Sequence, residues 1–285
     1  MRVIARESDT GSSLLGVTWS GTQFVAVGSG VVLSSPDGVR WASRVSGTAN
    51  LLSAVAWSGA QFVAVGYAIL TSADAVTWTS RVSQTPYLLY GVAWSGAEFV
   101  AVGSNGTILA SPDGVEWTPR ASGTRDVLQG IVWSGTQFVA VGRRGAILTS
   151  EDGVTWTARN PDRISMFLTG VAWSGTRFVA AGVNELPRPC GQFLSSSDGT
   201  TWIPHALSTS EEILGITWTG TQFVAVGGSA RTGSMFTSPD GAGWTQQPSR
   251  TSNALYGVAC SGDRIVVVGV GGTILSFRSL PPTPA

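Results

Sequence analysis

The chain has 285 residues, of which 43% are hydrophobic and only 12% charged, a balance that suits strands buried on both faces and excludes a disordered chain. Seventeen basic residues cancel seventeen acidic ones. The chain therefore has no basic field to attract nucleic acid, and no nucleic-acid partner is expected.

The first residues, MRVIARESDT, lack the apolar core of a secretory signal. No stretch of the sequence approaches eighteen uninterrupted apolar residues, so no membrane span is expected. These two features predict a cytoplasmic protein, with export by another route left open.

One unit recurs along the chain. Its most regular part is the phrase (G/A)-(V/I)-x-W-(S/T)-G, and neighbouring copies lie 37 to 45 residues apart. A seventh copy has Cys260 at the Trp position, and the six Trp residues are Trp19, Trp57, Trp94, Trp133, Trp173 and Trp218. This spacing is typical of a propeller blade with four short strands. Seven copies predict seven blades.

The third copy shows the four strands of the unit most clearly. Short runs rich in Val, Ile, Phe and Trp predict strands at 89–94, 99–103, 107–111 and 115–120. Because side chains alternate along a strand, bulky Val and Trp of the "GVAW" segment lie on one face, and Gly and Ala lie on the other. We expect the bulky face of one blade to pack against the small face of its neighbour and to be the main source of stability.

The two chain ends are predicted to share the last blade. The seventh copy stops after its third strand, at 274–277, and residues 6–10 align with 44–48 of the first fourth strand, which places Val3 at the Trp position. An N-terminal strand in this blade would leave no open sheet edge. The sequence thus predicts an all-β fold, a seven-bladed β-propeller of four-stranded antiparallel blades spanning residues 1–278, followed by a Pro-rich tail at 279–285.

Six copies carry an acidic turn between the third and fourth strands, as in SPDGVEW at 111–117. This turn resembles the Asp-box, or BNR, repeat of sialidase-like and related propellers, with one residue fewer between Asp and Trp than the commonest form. The resemblance implies a bacterial BNR-like repeat protein in which the Asp is structural. The chemistry of the turn agrees, because an Asp accepts N–H groups of its own turn while Gly supplies the positive φ. The six residues are Asp37, Asp74, Asp113, Asp152, Asp198 and Asp240.

No sialidase active site is found beside this resemblance. Such enzymes need three Arg around a carboxylate, a Tyr–Glu pair and an acid Asp, usually after an Arg-Ile-Pro start, which is absent here. One fourth-strand position is Arg in five copies, so these Arg belong to the scaffold: Arg6, Arg44, Arg81, Arg120 and Arg159. The single His, His205, occupies the same position and is interpreted as an outer-strand residue. No metal-ligand spacing or phosphate loop occurs, and no metal or cofactor is expected.

The candidate site is sought among residues that break the repeat. Loops between second and third strands, and segments between blades, are expected on one face, and the acidic turns on the other. The longest insertions, at 183–191 and 228–234, lie in such loops of blades 5 and 6. Drift in exposed loops would produce similar exceptions. The candidate ligand-binding residues on this face are Tyr67, Tyr87, Arg143, Arg144, Glu185, Arg188, Glu211, Glu212, Arg231 and Tyr256, with Tyr90 and Asp126 near the same mouth.

Two classes of function fit this pattern. The first is a monomeric, non-catalytic binding propeller, either lectin-like with a sugar or small-molecule ligand or a protein-docking scaffold, as in BNR-type propellers that help build photosynthetic complexes. The second is a hydrolase or lyase with one site at the rim of blades 4–6, where the candidate Glu residues would act as acid or base beside the candidate Arg residues. The lack of a recognisable catalytic motif favours the first class.

Overall fold

A computed structural model describes residues 3–159, 166–184, 190–207, 209–229 and 231–278. These residues form seven four-stranded antiparallel sheets, each the blade of a propeller. The predicted fold class is therefore confirmed. Three short 3-10 turns follow second strands, at Ser104–Gly106, Arg143–Gly145 and Val270–Gly272.

The first strands of neighbouring blades pack side by side and so surround the axis of the ring. They are Leu14–Trp19, Leu52–Trp57, Leu89–Trp94, Leu128–Trp133, Met166–Trp173, Ile213–Trp218 and Leu255–Cys260. The second strands are Phe24–Gly28, Phe62–Gly66, Phe99–Gly103, Phe138–Gly142, Phe178–Asn184, Phe223–Ser229 and Arg264–Gly269.

Third and fourth strands form the outer half of each blade. The third strands are Val32–Ser35, Ile69–Ser72, Ile108–Ser111, Ile147–Ser150, Cys190–Ser196, Thr232–Ser238 and Ile274–Arg278. The fourth strands are Ala42–Arg44, Thr79–Arg81, Thr118–Arg120, Thr157–Ala158, Ile203–Ala206, Thr245–Gln247 and, for blade 7, Ile4–Arg6.

The N-terminal strand closes the ring as predicted. Ile4 lies opposite Ser276 and Arg6 opposite Ile274 in an antiparallel pairing. The Arg6 Nε donates to Ser276 Oγ at 2.7 Å, and Arg44 makes the equivalent bond to Ser34 at 2.8 Å in blade 1. The N-terminus therefore takes the place that a fourth strand has in the other blades.

The hydrophobic core lies between blades rather than within them. Each of seven buried clusters joins two neighbouring blades, including blades 7 and 1. Between blades 2 and 3, Ala54 and Ala56 of one first strand share a cluster with Val92 and Trp94 of the next. The expected packing of a bulky face against a small face is therefore confirmed at this junction. Since each buried apolar side chain contributes about 1.5–3 kcal/mol, these clusters dominate the stability of the ring.

Strand boundaries in blades 3, 5 and 6 differ from the sequence prediction. The fourth strand of blade 3 begins at Thr118 rather than 115, because the N–H groups of Val115 and Glu116 are bound by the carboxylate of Asp113. In blades 5 and 6 the ends of both insertions continue the hairpins, with Val183 opposite Gly191 and Gly228 opposite Gly233. These ends pair as strands because their backbones remain in register.

Candidate ligand-binding site

The loops between second and third strands lie on the same face as the segments between blades. Just after the second strand, one N–H donates to the carbonyl that precedes the first strand of that blade. Ser104 N donates to Leu88 O at 2.9 Å, and Arg143 N donates to Val127 O at 2.8 Å. We call this side of the ring the mouth face.

Every blade has a β-bulge at the start of its first strand. In blade 3, Leu89 pairs with Gly103 and Gly91 pairs with Val102, so Tyr90 between them has no partner. A bulge leaves one extra residue unpaired and redirects its side chain. The residues at the seven bulges are Leu15, Ser53, Tyr90, Gln129, Thr169, Leu214 and Tyr256. We call this set the bulge ring.

The bulge ring lines one cavity of about 420 Å³ on the axis of the propeller, the mouth cavity. All seven side chains are half-buried, and none carries a charge. Glycines follow most bulges because the first strands converge there: a Cβ at Gly215 would lie 2.4 Å from Tyr256 O. The close approach of backbones thus forms the narrow base of the cavity, and the bulge ring forms its wall.

The polar side chains of the bulge ring differ in whether they can bind a ligand. The Thr169 hydroxyl donates to Ile213 O at 2.7 Å, with Ala181 O at 3.1 Å, and so joins blade 5 to blade 6. The Ser53 Oγ is buried without a hydrogen-bond partner. Gln129, Tyr90 and Tyr256 remain as the polar side chains of the ring that have room to bind a ligand in the cavity.

Two candidate Arg residues lie beside the mouth cavity, at the rim of blade 4. Arg144 Nη1 binds Asp126 Oδ1 at 3.1 Å, and the Arg143 guanidinium lies 5.4 Å from the centre of the Phe167 ring. Both Arg residues, with Arg125, line a second cavity of about 420 Å³. Phe167 also lines the mouth cavity. The basic rim of blade 4 and the uncharged mouth are therefore adjacent.

The other candidates are dispersed. In blade 6, Glu211 Oε2 accepts from Thr232 Oγ1 at 2.9 Å, and Glu212 binds through its carbonyl, which accepts from Gly228 N. Arg231 is exposed near this hairpin. Tyr67 and Tyr87 are 59% and 44% exposed. Of the eight candidates that the structure describes, only Tyr256 lines the mouth cavity. The remaining two, Glu185 and Arg188, lie outside the described residues.

Sequence reasoning missed most of the bulge ring. The sequence does carry a signal for these positions. Each bulge residue follows a repeated Leu or Ile and precedes a repeated Gly or Ala, and its own type differs from blade to blade. Binding residues of a repeat protein are expected in its loops, whereas this position lies inside a predicted strand. Only Tyr90 and Tyr256 stood out there, as aromatic residues.

The six acidic turns lie on the opposite face and repeat one set of contacts. In blade 4 the Asp152 Oδ1 accepts from Val154 N at 2.9 Å, Thr155 N at 2.7 Å and Ser150 Oγ at 3.0 Å. These N–H donors stabilise the charged form and lower the pKa of Asp152 to about 2. The same bonds hold Asp37, Asp74, Asp113, Asp198 and Asp240 in their own turns.

The single histidine takes part in the outer scaffold. His205 Nε2 lies 2.8 Å from Ser195 Oγ, where Arg side chains of blades 1, 2 and 4 bind the equivalent hydroxyl. Within the described part of the chain, no group of three or more His, Cys, Asp and Glu side chains is placed to hold a metal ion. No described helix has the length and apolar character needed to cross a membrane.

No protein-family model matches this chain, and no curated protein matches its sequence. Solved propellers share its fold. YCF48 bound to D1 peptide is 17% identical with a TM-score of 0.77, covering 98% of this chain and 97% of that one. YCF48 from Cyanidioschyzon merolae is 18% identical with a TM-score of 0.73, covering 97% and 99%.

An enzyme has the same architecture. A catalytically inactive histidine variant of virginiamycin B lyase from Staphylococcus aureus, solved with quinupristin, is 9% identical with a TM-score of 0.82, covering 98% and 99% of the two chains. At such identities these likenesses establish the seven-bladed propeller and leave the function to the chain's own residues.

Proposed function

We propose that this chain is a non-catalytic binding propeller, a docking scaffold that holds a peptide segment of a protein partner in the mouth cavity. One observation carries the proposal. A bulge in every blade delivers one variable side chain to a single cavity, between positions that the repeat holds nearly constant. Variation at a fixed structural position is what recognition requires of a repeat scaffold.

The chemistry of the bulge ring suits an uncharged segment of peptide. Tyr90 and Tyr256 offer large rigid rings that lose little conformational entropy on binding, and their hydroxyls can bind backbone carbonyls. Gln129 adds an amide that both donates and accepts. At the adjacent rim, Arg143 and Arg144 would bind a carboxylate on the same segment.

The comparisons supply a precedent for this use of the fold. YCF48 has been solved with a D1 peptide, so a seven-bladed propeller of similar size can hold a peptide. The acidic turns fit the same interpretation, because a bacterial BNR-like repeat would supply the scaffold and leave the mouth face free for recognition. The protein would act as a monomer, with one site per ring.

A peptide library tests the proposal. Random peptides displayed on phage would be selected on the purified protein, and the enriched peptide titrated by calorimetry. We expect one site per chain, and binding weakened about tenfold or more in Tyr90→Ala/Tyr256→Ala. The control is Val154→Ala, an exposed residue on the opposite face. Failure to enrich any peptide, or equal binding by both variants, would contradict the proposal.

Two further outcomes would replace it. A sugar or other small molecule that binds the mouth cavity in place of peptide would make the chain lectin-like. Turnover of a hydrolase or lyase substrate panel that is lost in Glu211→Gln/Glu212→Gln would instead place an enzyme site at the rim of blades 4–6.

A further inference from the structure

A second feature of the mouth face concerns the outer edge of the blades. In blades 1, 2, 3, 4, 6 and 7 the segment entering the blade has a Thr hydroxyl that accepts an N–H two residues later, so the later residue occupies an equivalent position in these six blades. The bond joins Tyr87 N to Thr85 Oγ1 at 3.2 Å in blade 3 and Asp126 N to Thr124 Oγ1 at 3.0 Å in blade 4. Glu211 and Asn253 occupy this position in blades 6 and 7.

In three blades the side chain at this position is bonded to the loop between the second and third strands, or to the residue at which that loop meets the third strand. Asp126 Oδ1 binds Arg144 Nη1 at 3.1 Å in blade 4. In blade 6 Glu211 Oε2 accepts from Thr232 Oγ1 at 2.9 Å, and in blade 7 Asn253 Nδ2 donates to Thr273 Oγ1 at 2.8 Å. We call this contact the clasp.

Blade 3 has the backbone of the clasp without its bond. Asn105 stands where blade 4 has Arg144, and both residues have a left-handed backbone, with φ of 56° and 54°. Tyr87 stands where blade 4 has Asp126. Among the described contacts no side-chain bond joins Tyr87 to this loop, and the residue is 44% exposed. Blade 3 therefore has Tyr87 and Asn105 at the two facing positions whose side chains are bonded to each other in blade 4.

The groove at this position differs between the described parts of the two blades. In both blades it is lined by the same repeat positions, from Thr85 or Thr124 of the entering segment to Ile108 or Ile147 at the start of the third strand. Its volume is about 180 Å³ in blade 4 and about 620 Å³ in blade 3. The larger groove also extends along the segment leaving blade 3, as far as Arg125.

We infer that the open groove of blade 3 is a second binding site and that it takes a sugar residue of a glycan. The exposed ring of Tyr87 offers a flat apolar surface for the C–H face of a pyranose. Gln84 and Asn105 each have a side-chain amide that can both donate and accept a hydrogen bond, which suits the neighbouring hydroxyl groups of a sugar. Arg125 at one end favours a sugar that carries a carboxylate. This site is separate from the mouth cavity, so neither assignment depends on the other.

Saturation-transfer NMR would test the inference. The probes are the methyl glycosides of glucose, galactose, mannose, N-acetylglucosamine and glucuronic acid, each with wild-type protein. We expect transfer to the ring protons of at least one sugar. The variant Tyr87→Asp/Asn105→Arg installs the blade 4 clasp, and we expect it to weaken that binding about tenfold or more. Tyr87→Phe keeps the ring and is expected to bind within about threefold of wild type, and Val154→Ala is the folded control.

Circular dichroism would show that each variant is folded; if the double variant is not, Tyr87→Ala replaces it with the same expected loss. Three results would overturn the assignment: no sugar of the panel receives saturation, the bound sugar is indifferent to the installed clasp, or a proline-rich peptide binds the groove while the sugars do not. A peptide bound in the mouth cavity should leave the sugar signals unchanged. Competition between the two ligands would mean that they share one site.

Discussion

The acidic-turn face and the mouth face of the ring use the same repeat in opposite ways. On the acidic-turn face, six Asp residues make the same bonds in six blades. At three junctions a Gln side chain also joins neighbouring blades there. On the mouth face, the bulge ring has five kinds of side chain at seven equivalent positions, and the clasp is made in blades 4, 6 and 7 but not in blade 3.

The difference shows how a repeat protein separates stability from recognition. A contact that is needed at every blade junction is held at a fixed residue type, because the ring fails at its weakest junction. A position that only faces the mouth carries no such requirement and can differ from blade to blade. Substitutions at repeated positions should therefore lower stability, and substitutions in the bulge ring should lower binding.

The largest effect is expected at a repeated core position. Phe138 is fully buried between blades 3 and 4, with its ring centre 4.5 Å from that of Trp133 and 6.1 Å from that of Trp156. Phe138→Ala would leave a cavity that the rigid blades cannot fill, and we expect a loss of about 3–5 kcal/mol in the free energy of unfolding. Urea denaturation measures it, with exposed Val154→Ala as the control. A loss below about 1 kcal/mol would show that this junction carries little of the stability.

A smaller effect is expected at an acidic turn. Asp240 accepts from Ala242 N at 2.9 Å, Gly243 N at 3.1 Å and Ser238 Oγ at 3.1 Å, and the backbone bonds lower its pKa. Asp240→Ala should cost about 1–2 kcal/mol at pH 7, reduced from the value for buried charged bonds because the turn is solvated.

The pH dependence of this loss follows from the sign of the shift. Because folding lowers the pKa of Asp240, its carboxylate stabilises the fold at pH values above its pKa in the unfolded chain, near 3.8. This stabilisation is lost as the pH falls through the pKa of Asp240 in the folded protein. The difference between wild type and Asp240→Ala should therefore shrink in acid. Asp263→Ala is the matched control, because its carboxylate accepts from Ser261 Oγ in a turn of another kind. A difference that is constant with pH would contradict the role of the charge.

One contact between blades on the acidic-turn face is different at the junction of blades 3 and 4. In blades 1, 2 and 4 a Gln amide donates to the carbonyl of the Asp in the next blade, as from Gln137 to Asp198 O at 2.9 Å. Glu98 occupies this place in blade 3: a Cβ at Gly153 of blade 4 would be 2.0 Å from its Oε1. A carboxylate cannot donate this bond. Burial raises the pKa of Glu98. The positive charge of Arg120 opposes this shift, and the negative charge of Asp152 adds a smaller contribution to it.

Glu98→Gln would remove this difference and should raise stability at pH 7 by about 1 kcal/mol or less. For an acid with a raised pKa, the favourable contribution is present below the unfolded value near 4.5 and is lost as the pH rises through the folded pKa. The gain should therefore vanish near pH 4. Gln137→Glu, the reciprocal change, should lose stability at pH 7. Thermal unfolding from pH 4 to 8 measures both, and parallel pH profiles for wild type and Glu98→Gln would refute this explanation.

The fold could be predicted from the sequence because its determinants are local and repeated. The Trp phrase marks each blade, and the incomplete seventh copy with the matching residues 6–10 indicates the closure that the pairing of Arg6 with Ile274 confirms. Strand boundaries were less predictable: Asp113 takes N–H groups that the alternation pattern assigned to a strand.

The sequence by itself determined the number of blades, the junction of the two chain ends and the face on which each loop emerges, since these depend on patterns within one repeat. Only the tertiary structure decided which variable residues meet. Tyr90 and Tyr256 are far apart in sequence and line one cavity because seven bulges converge on one axis. Tyr87 and Asn105 likewise belong to two separate segments and meet in one groove of blade 3. Convergence is a property of the closed ring, and no single repeat contains it.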